Sequence, residues 1–200
     1  MKKPRKVKLQ NLILYIFQRY NNQHLTETKL QKLLYFCDFA HFEENQKSIT
    51  GFDYSKNHFG PTINKLPEIL REMEKKGTIK IILGKNYYGS PKKNFSILAS
   101  NIDLEKNFSR EELYTVNEIN EAYKKLTPSE ISKLSHSDMP VLATEDFNQI
   151  KYEAVAYREG PDEKVFSPDK VTEDLFGSKK FQNLIQRLTS VVQNSAHATS

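Results

Sequence analysis

The 200-residue chain has no tryptophan, one cysteine and only seven glycines. A single cysteine, Cys37, excludes an intramolecular disulfide and any metal cluster built on cysteines. It lies inside a helical apolar pattern, where a buried thiol is the plain reading. No apolar run approaches the roughly 20 residues that span a bilayer. The basic start Met1-Lys2-Lys3-Pro4-Arg5-Lys6 is not followed by the apolar core of a signal peptide. The expected compartment is therefore the cytoplasm, with no membrane partner. The signatures of common enzyme chemistry are also missing: there is no glycine-rich phosphate loop, no Gly-x-Ser-x-Gly and no His-Glu-x-x-His. Five histidines, His24, His41, His58, His136 and His197, are scattered along the chain. Neither a metal, a cofactor nor catalysis is expected from this pattern, and a small hydrolase is the weakest functional reading.

What is present is enough apolar sequence for a core. Apolar residues make up 38%, aromatics 11% and charged residues 28%, which excludes disorder of the chain as a whole. The net charge of +5 permits contact with nucleic acid or an acidic protein without selecting either. Lysine and arginine cluster at residues 2–8 and around Lys85, Lys92 and Lys93, whereas acidic residues gather at 103–121 and 145–174.

The organising stretch is 26–61. From Leu30 to Phe42 apolar residues occupy nearly every side of a helical wheel, the pattern of a helix enclosed by others. Thr26 is placed to cap it, Glu27 suits the positive end of its dipole, and Leu25 can close over Leu30. Before it, Leu9, Leu12, Ile13, Ile16, Phe17 and Tyr20 form a helical stripe that predicts direct packing on the central helix. After it, Ile49–Phe59 predicts a short extended segment. Ile63 to Met73 has helical spacing, interrupted by Pro67 and ended by Gly77, which predicts two pieces. Period-two alternation at 78–83 and 94–98, around a polar tip, predicts a β-hairpin. A helix followed by a hairpin is the order of winged-helix domains.

Ser109 with Glu112, and Thr127-Pro128 with Glu130, predict two capped helices. The second is expected to stop at Ser135-His136-Ser137-Asp138, with loop over 139–150. The fold class is thus α+β, predominantly α-helical, with a small β-hairpin. The expected organisation is a basic arm at 1–8, a domain at 9–158, a linker or surface excursion at 159–178, an amphipathic helix at 179–193 and a frayed tail at 194–200.

Asp38 and His41 stand three residues apart on the central helix. They read either as a base with its orienting carboxylate or as a polar pair fixing helix packing, and the second is favoured. The hairpin tip, Lys85 to Lys93, joins cations to Tyr87 and Tyr88. It reads as a wing contacting phosphates and bases, or as a solvated hairpin end whose lysines discourage edge pairing; the second is again favoured.

Thr28-Lys29-Leu30-Gln31-Lys32-Leu33-Leu34-Tyr35-Phe36, Ile49-Thr50-Gly51, Phe59-Gly60-Pro61, Leu134-Ser135-His136 and Ile150-Lys151-Tyr152-Glu153 recur here in an ordered set. Over residues 9–157 this set resembles the Panacea domain, the SocA-like antitoxin family of bacteria and their phages. The resemblance implies a mainly helical domain that binds and neutralises a cognate toxin, in one branch as an adaptor delivering it to a protease. It also implies a phage or mobile-element association. Where many relatives carry a tryptophan after the Ser-His turn, this chain has Val141 and Leu142. Tentative partner-binding residues are Phe52 and Tyr54 of the loop, Tyr87 and Tyr88 of the hairpin tip, and Lys92 and Lys93. Each aromatic also has a reading as partial core, the favoured one for Phe59. Asp38, His41, Gly60, Pro61 and His136 are expected to be structural. The alternative function is a winged-helix-like DNA-binding regulator.

Overall fold

The computed structural model describes residues 6–20, 25–85, 89, 91–98 and 103–158. Tyr87, Tyr88, residues 1–5 of the arm, the linker and the C-terminal amphipathic helix lie outside the described residues. Helix α1 (Lys6–Arg19) leads into a two-residue strand β1 (Leu25–Thr26) and the central helix α2 (Glu27–Asn45). Lys6 to Lys8, expected in the arm, form the first turn of α1. Strands β2 (Tyr54–Asn57) and β3 (Gly60–Thr62) precede helix α3 (Leu66–Lys75), followed by the hairpin β4 (Ile79–Lys85) and β5 (Pro91–Ile97). Helices α4 (Arg110–Tyr123), α5 (Pro128–Ser137) and α6 (Met139–Leu142) follow, then strand β6 (Gln149–Ile150) and a 3-10 turn at Tyr152–Tyr157.

Every residue of α2 from Lys29 to His41 is buried, as an all-round apolar helix requires. Thr26 Oγ1 accepts the Lys29 amide at 3.2 Å. The helix ends where Gln46 turns left-handed (φ 53°) and donates its N–H to Phe42 O. Leu25 pairs with Phe95 across the β1–β5 ladder. α2 packs against α1, α4, α5, β3 and the Tyr152–Tyr157 turn. An aromatic cluster fills its far half, with Tyr35–Phe39 at 4.3 Å, Phe39–Tyr152 at 4.5 Å and Tyr35–Tyr54 at 5.7 Å between ring centroids. Each such ring, fully buried, stabilises by about 1.5–3 kcal/mol.

Both capping boxes form, Ser109 with Glu112 and Thr127 with Glu130. Of the run from Ile63 to Met73 only the part from Leu66 is helical, with Pro67 in its first turn, and residues 63–65 form the turn that leaves β3. Its C-terminus is a Schellman motif: Thr78 N–H donates to Met73 O (3.1 Å) and Gly77 N–H to Glu74 O (2.8 Å), with Gly77 at φ +69°. Residues 139–142, expected as loop, form α6; Asp138 sits at its N-cap with Pro140 in the first turn. Among the described residues two antiparallel sheets result, one ordered β1-β5-β4 and the other β3-β2-β6.

Candidate partner-docking site

The polar residues of α2 carry the β2–β3 hairpin. Asp38 is fully buried and accepts the Thr50 amide (2.8 Å), the Thr50 hydroxyl and the Tyr54 hydroxyl (2.8 Å). Burial pushes its carboxyl up to about 6, against the opposing pull of those hydrogen bonds. The carboxylate thereby ties the 49–51 turn to the helix and sets where β2 begins. His41 has different partners: its Nδ1 lies 3.1 Å from Thr115 Oγ1 of α4. Asp38 and His41 therefore fasten separate elements to α2.

Nearer the N-terminus of α2, Lys32 is only 1% exposed and donates from Nζ to Pro61 O at 3.0 Å. Burial lowers its pKa to about 7. Gln31 Oε1 accepts the Ile63 amide (3.0 Å), and Ser132 of α5 donates its hydroxyl to Phe59 O (3.2 Å). Gly60, at φ +87°, is pressed into this junction. A Cβ there would stand 2.8 Å from Ser135 Oγ and 3.3 Å from both His136 Nε2 and Lys32 Cε. Residues 32, 60–61 and 135–136, far apart in sequence, thus form one seam joining α2, β3 and α5. His136 is held below its ordinary pKa, first by burial and then by the Lys32 and Lys56 charges.

Above the seam, the Asn57–Gly60 pair leaves His58 and Phe59 as a two-residue tip. Phe59 is 76% exposed. The His58 ring meets the Phe147 ring edge-to-face at 5.0 Å, and Phe147 is itself 62% exposed. Phe147 is left-handed (φ 66°), its amide donating to Lys56 O at 2.7 Å. Lys56 Nζ donates to Thr144 O (2.8 Å) and pairs with Asp146 (3.2 Å), and β6 joins β2 beside them. Two large aromatic side chains are therefore displayed to solvent from a hydrogen-bonded backbone. Below, Asp138 receives Tyr35 OH (2.6 Å) and both Nε (2.8 Å) and Nη2 (2.5 Å) of Arg158, which also reaches Glu43 (2.6 Å). Its carboxylate partners hold the buried guanidinium above its usual range despite desolvation.

Among the described residues, the expected partner residues do not assemble into one site. Phe52 and Tyr54 are buried, Tyr54 because its hydroxyl is committed to Asp38, so neither is a surface anchor. The exposed aromatic of that loop is Phe59, expected in the core. Lys92 and Lys93 lie on β5 in the other sheet, and Lys93 pairs with Glu27 at 3.0 Å. His58 and Phe147 were missed. The legible signal for the tip was Gly60, whose positive φ closes a two-residue turn and turns the preceding side chains outward; Phe147 has no comparable signal.

A family model described as antitoxin SocA-like, Panacea domain, matches residues 30–140. No curated protein matches the chain. The matched segment runs from α2 to α6 and contains the whole Lys32–Gly60–Ser135 seam. The chain belongs to the SocA-like antitoxin, Panacea domain family.

Proposed function

We propose that the protein is an antitoxin-like binding protein that neutralises a cognate toxin by direct contact, with the His58–Phe59 tip and Phe147 as its docking patch. The observation that carries this reading is the exposure of Phe59 and Phe147 on a backbone tied down from three sides. Rigid aromatic side chains lose little entropy on binding and concentrate interface energy. Membership of an antitoxin-named family supports the class of partner. Such binding requires a shaped surface and no reacting group, which fits a non-enzymatic role. Delivery of the toxin to a protease is a further step of the same reading. Among the described residues no helix is long and apolar enough to cross a membrane.

The test is co-expression with the adjacent open reading frame. Toxicity of that frame alone, relieved by the wild-type protein in a co-purifying complex, supports the reading. A Phe59→Asp/Phe147→Asp variant that folds but no longer rescues places the contact at the tip. Full rescue by that variant would move the docking patch elsewhere, and a harmless neighbour with no complex would sink the antitoxin role. A toxin that disappears faster in the presence of the wild-type protein, and persists in a protease-deficient host, would add the delivery step.

A further inference from the structure

The positive charge of this chain is not spread over it. Residues 61–100 hold eight lysine and arginine side chains against Glu68, Glu72 and Glu74, a formal excess of five. Residues 1–8 hold an equal excess, and within 61–100 the excess lies on the hairpin, whose strands carry Lys80, Lys85, Lys92 and Lys93 and no acidic residue. In three dimensions the segment is α3 with the β4–β5 hairpin. Two of its three carboxylates have partners. Glu72 pairs with Lys6 and, at 3.0 Å, with Lys76, while Glu74 accepts the Ile81 amide at 2.8 Å. Among the described residues the ion pairs take only Lys76 and Lys93 from the unit's cations. Arg71, Lys80 and Lys85 are left exposed.

The arrangement of these cations has a shape. The cross-strand pairs Leu83↔Lys93, Gly84↔Lys92 and Lys85↔Pro91 put three lysines within the distal end of the hairpin. Because side chains alternate along a strand, Lys85 and Lys93 project from one face and Lys92 from the other. On the first face a groove of about 320 Å³ opens between hairpin and helix, its walls carrying Arg71 and Lys93 together with the carboxylates Glu27 and Glu74. The strand between α1 and α2 adds to the hairpin in the order β1-β5-β4, and α3 directly precedes β4. With the β2–β3 hairpin set aside as an insertion, this is the connectivity of a winged helix: a helix followed by a basic two-stranded wing.

We propose that the β4–β5 hairpin binds double-stranded nucleic acid through its phosphates, with the distal lysines of the hairpin against the backbone. The fold alone does not carry this, since one fold serves many functions. Four lysines and no carboxylate on the two strands of the wing do. Recognition by lysines without a fork of donors aimed at base edges makes the binding non-specific in sequence. It is independent of the docking patch, which lies on the other sheet.

The experiment is fluorescence anisotropy of the full chain with a labelled duplex of about 20 base pairs, at roughly 50 and 200 mM salt. Four to five neutralised phosphates predict a slope near −4 in log K against log salt, a loss of roughly 200-fold between those concentrations. Lys85→Glu with Lys92→Glu should weaken binding at least about tenfold, while Lys106→Glu, outside the unit, and Phe59→Asp should leave it unchanged. Melting curves check that the variants are folded; should the double variant unfold, the salt slope of the wild type decides. No anisotropy change up to roughly 100 µM protein at the lower salt overturns the proposal. So does equal weakening by Lys106→Glu. Displacement of the duplex by polyglutamate at matched charge would also overturn it, in favour of a surface for an acidic protein.

Discussion

Replacing Gly60 by alanine tests whether the seam holds the hairpin. At φ +87° the added Cβ meets its own backbone, which costs an L-residue about 1–2 kcal/mol. The same Cβ would lie 2.8 Å from Ser135 Oγ, closer than real contacts allow, with Lys32 Cε and His136 Nε2 at 3.3 Å on its other sides. Ser135 cannot simply swing away, because its hydroxyl donates to Ser132 O at 2.7 Å. Overpacking of this kind adds about 1–3 kcal/mol, for a total near 3 kcal/mol. Urea denaturation should then show the midpoint falling by roughly 1–2 M at unchanged slope. The steric share can be isolated with Ser135→Ala, which removes the offending oxygen. In the double variant, the cost of Gly60→Ala should shrink by about 1–2 kcal/mol. A loss below about 0.5 kcal/mol, or strict additivity with Ser135→Ala, would refute the close packing of β3 on α5.

Two further predictions follow from buried charge. Lys32 has its folded pKa lowered from 10.5 to about 7, so the unfolded chain binds more protons between those values and stability rises with pH across that window. Lys32→Met lacks that gain. Its stability relative to wild type should fall by about 4 kcal/mol from pH 7 to pH 10.5, read as the difference in urea midpoints, and a constant difference would contradict a neutral buried lysine. Arg158→Met strips the buried partner from Asp138 and should cost about 3 kcal/mol, partly restored by Asp138→Asn, whose amide oxygen still accepts Tyr35 OH. A thermal melt unchanged by Arg158→Met would mean that the network does not bind the Tyr152–Tyr157 turn to the domain.

Local rules made most elements legible. Thr26, Ser109 and Thr127 mark three helix starts because a capping side chain acts within four residues of itself. The β4–β5 pairing followed from alternation and a polar tip. α6 was missed although Asp138 and Pro140 form a start signal, because four residues are too few to show a period. α1 begins earlier than its apolar stripe because Lys6 and Lys8 have partners only the fold supplies, Glu72 and, for Lys8, Glu112 at 2.5 Å.

The sequence by itself determined the buried central helix, the two capping boxes and the family, since these rest on spacing and on an ordered set of short motifs. Which side chains face outward was decided by tertiary structure. Phe52, Tyr54 and Phe59 are similar aromatics within eight residues, yet two are buried and one is displayed. What separates them is Asp38, which claims the Tyr54 hydroxyl, and Gly60, which turns the chain between α2 and α5. Lys32 is likewise one polar residue in a helical run until Pro61 O and the Ser135–His136 end of α5 meet at it. Burial is a property of what arrives from elsewhere in the chain, and a local pattern does not contain the arrival.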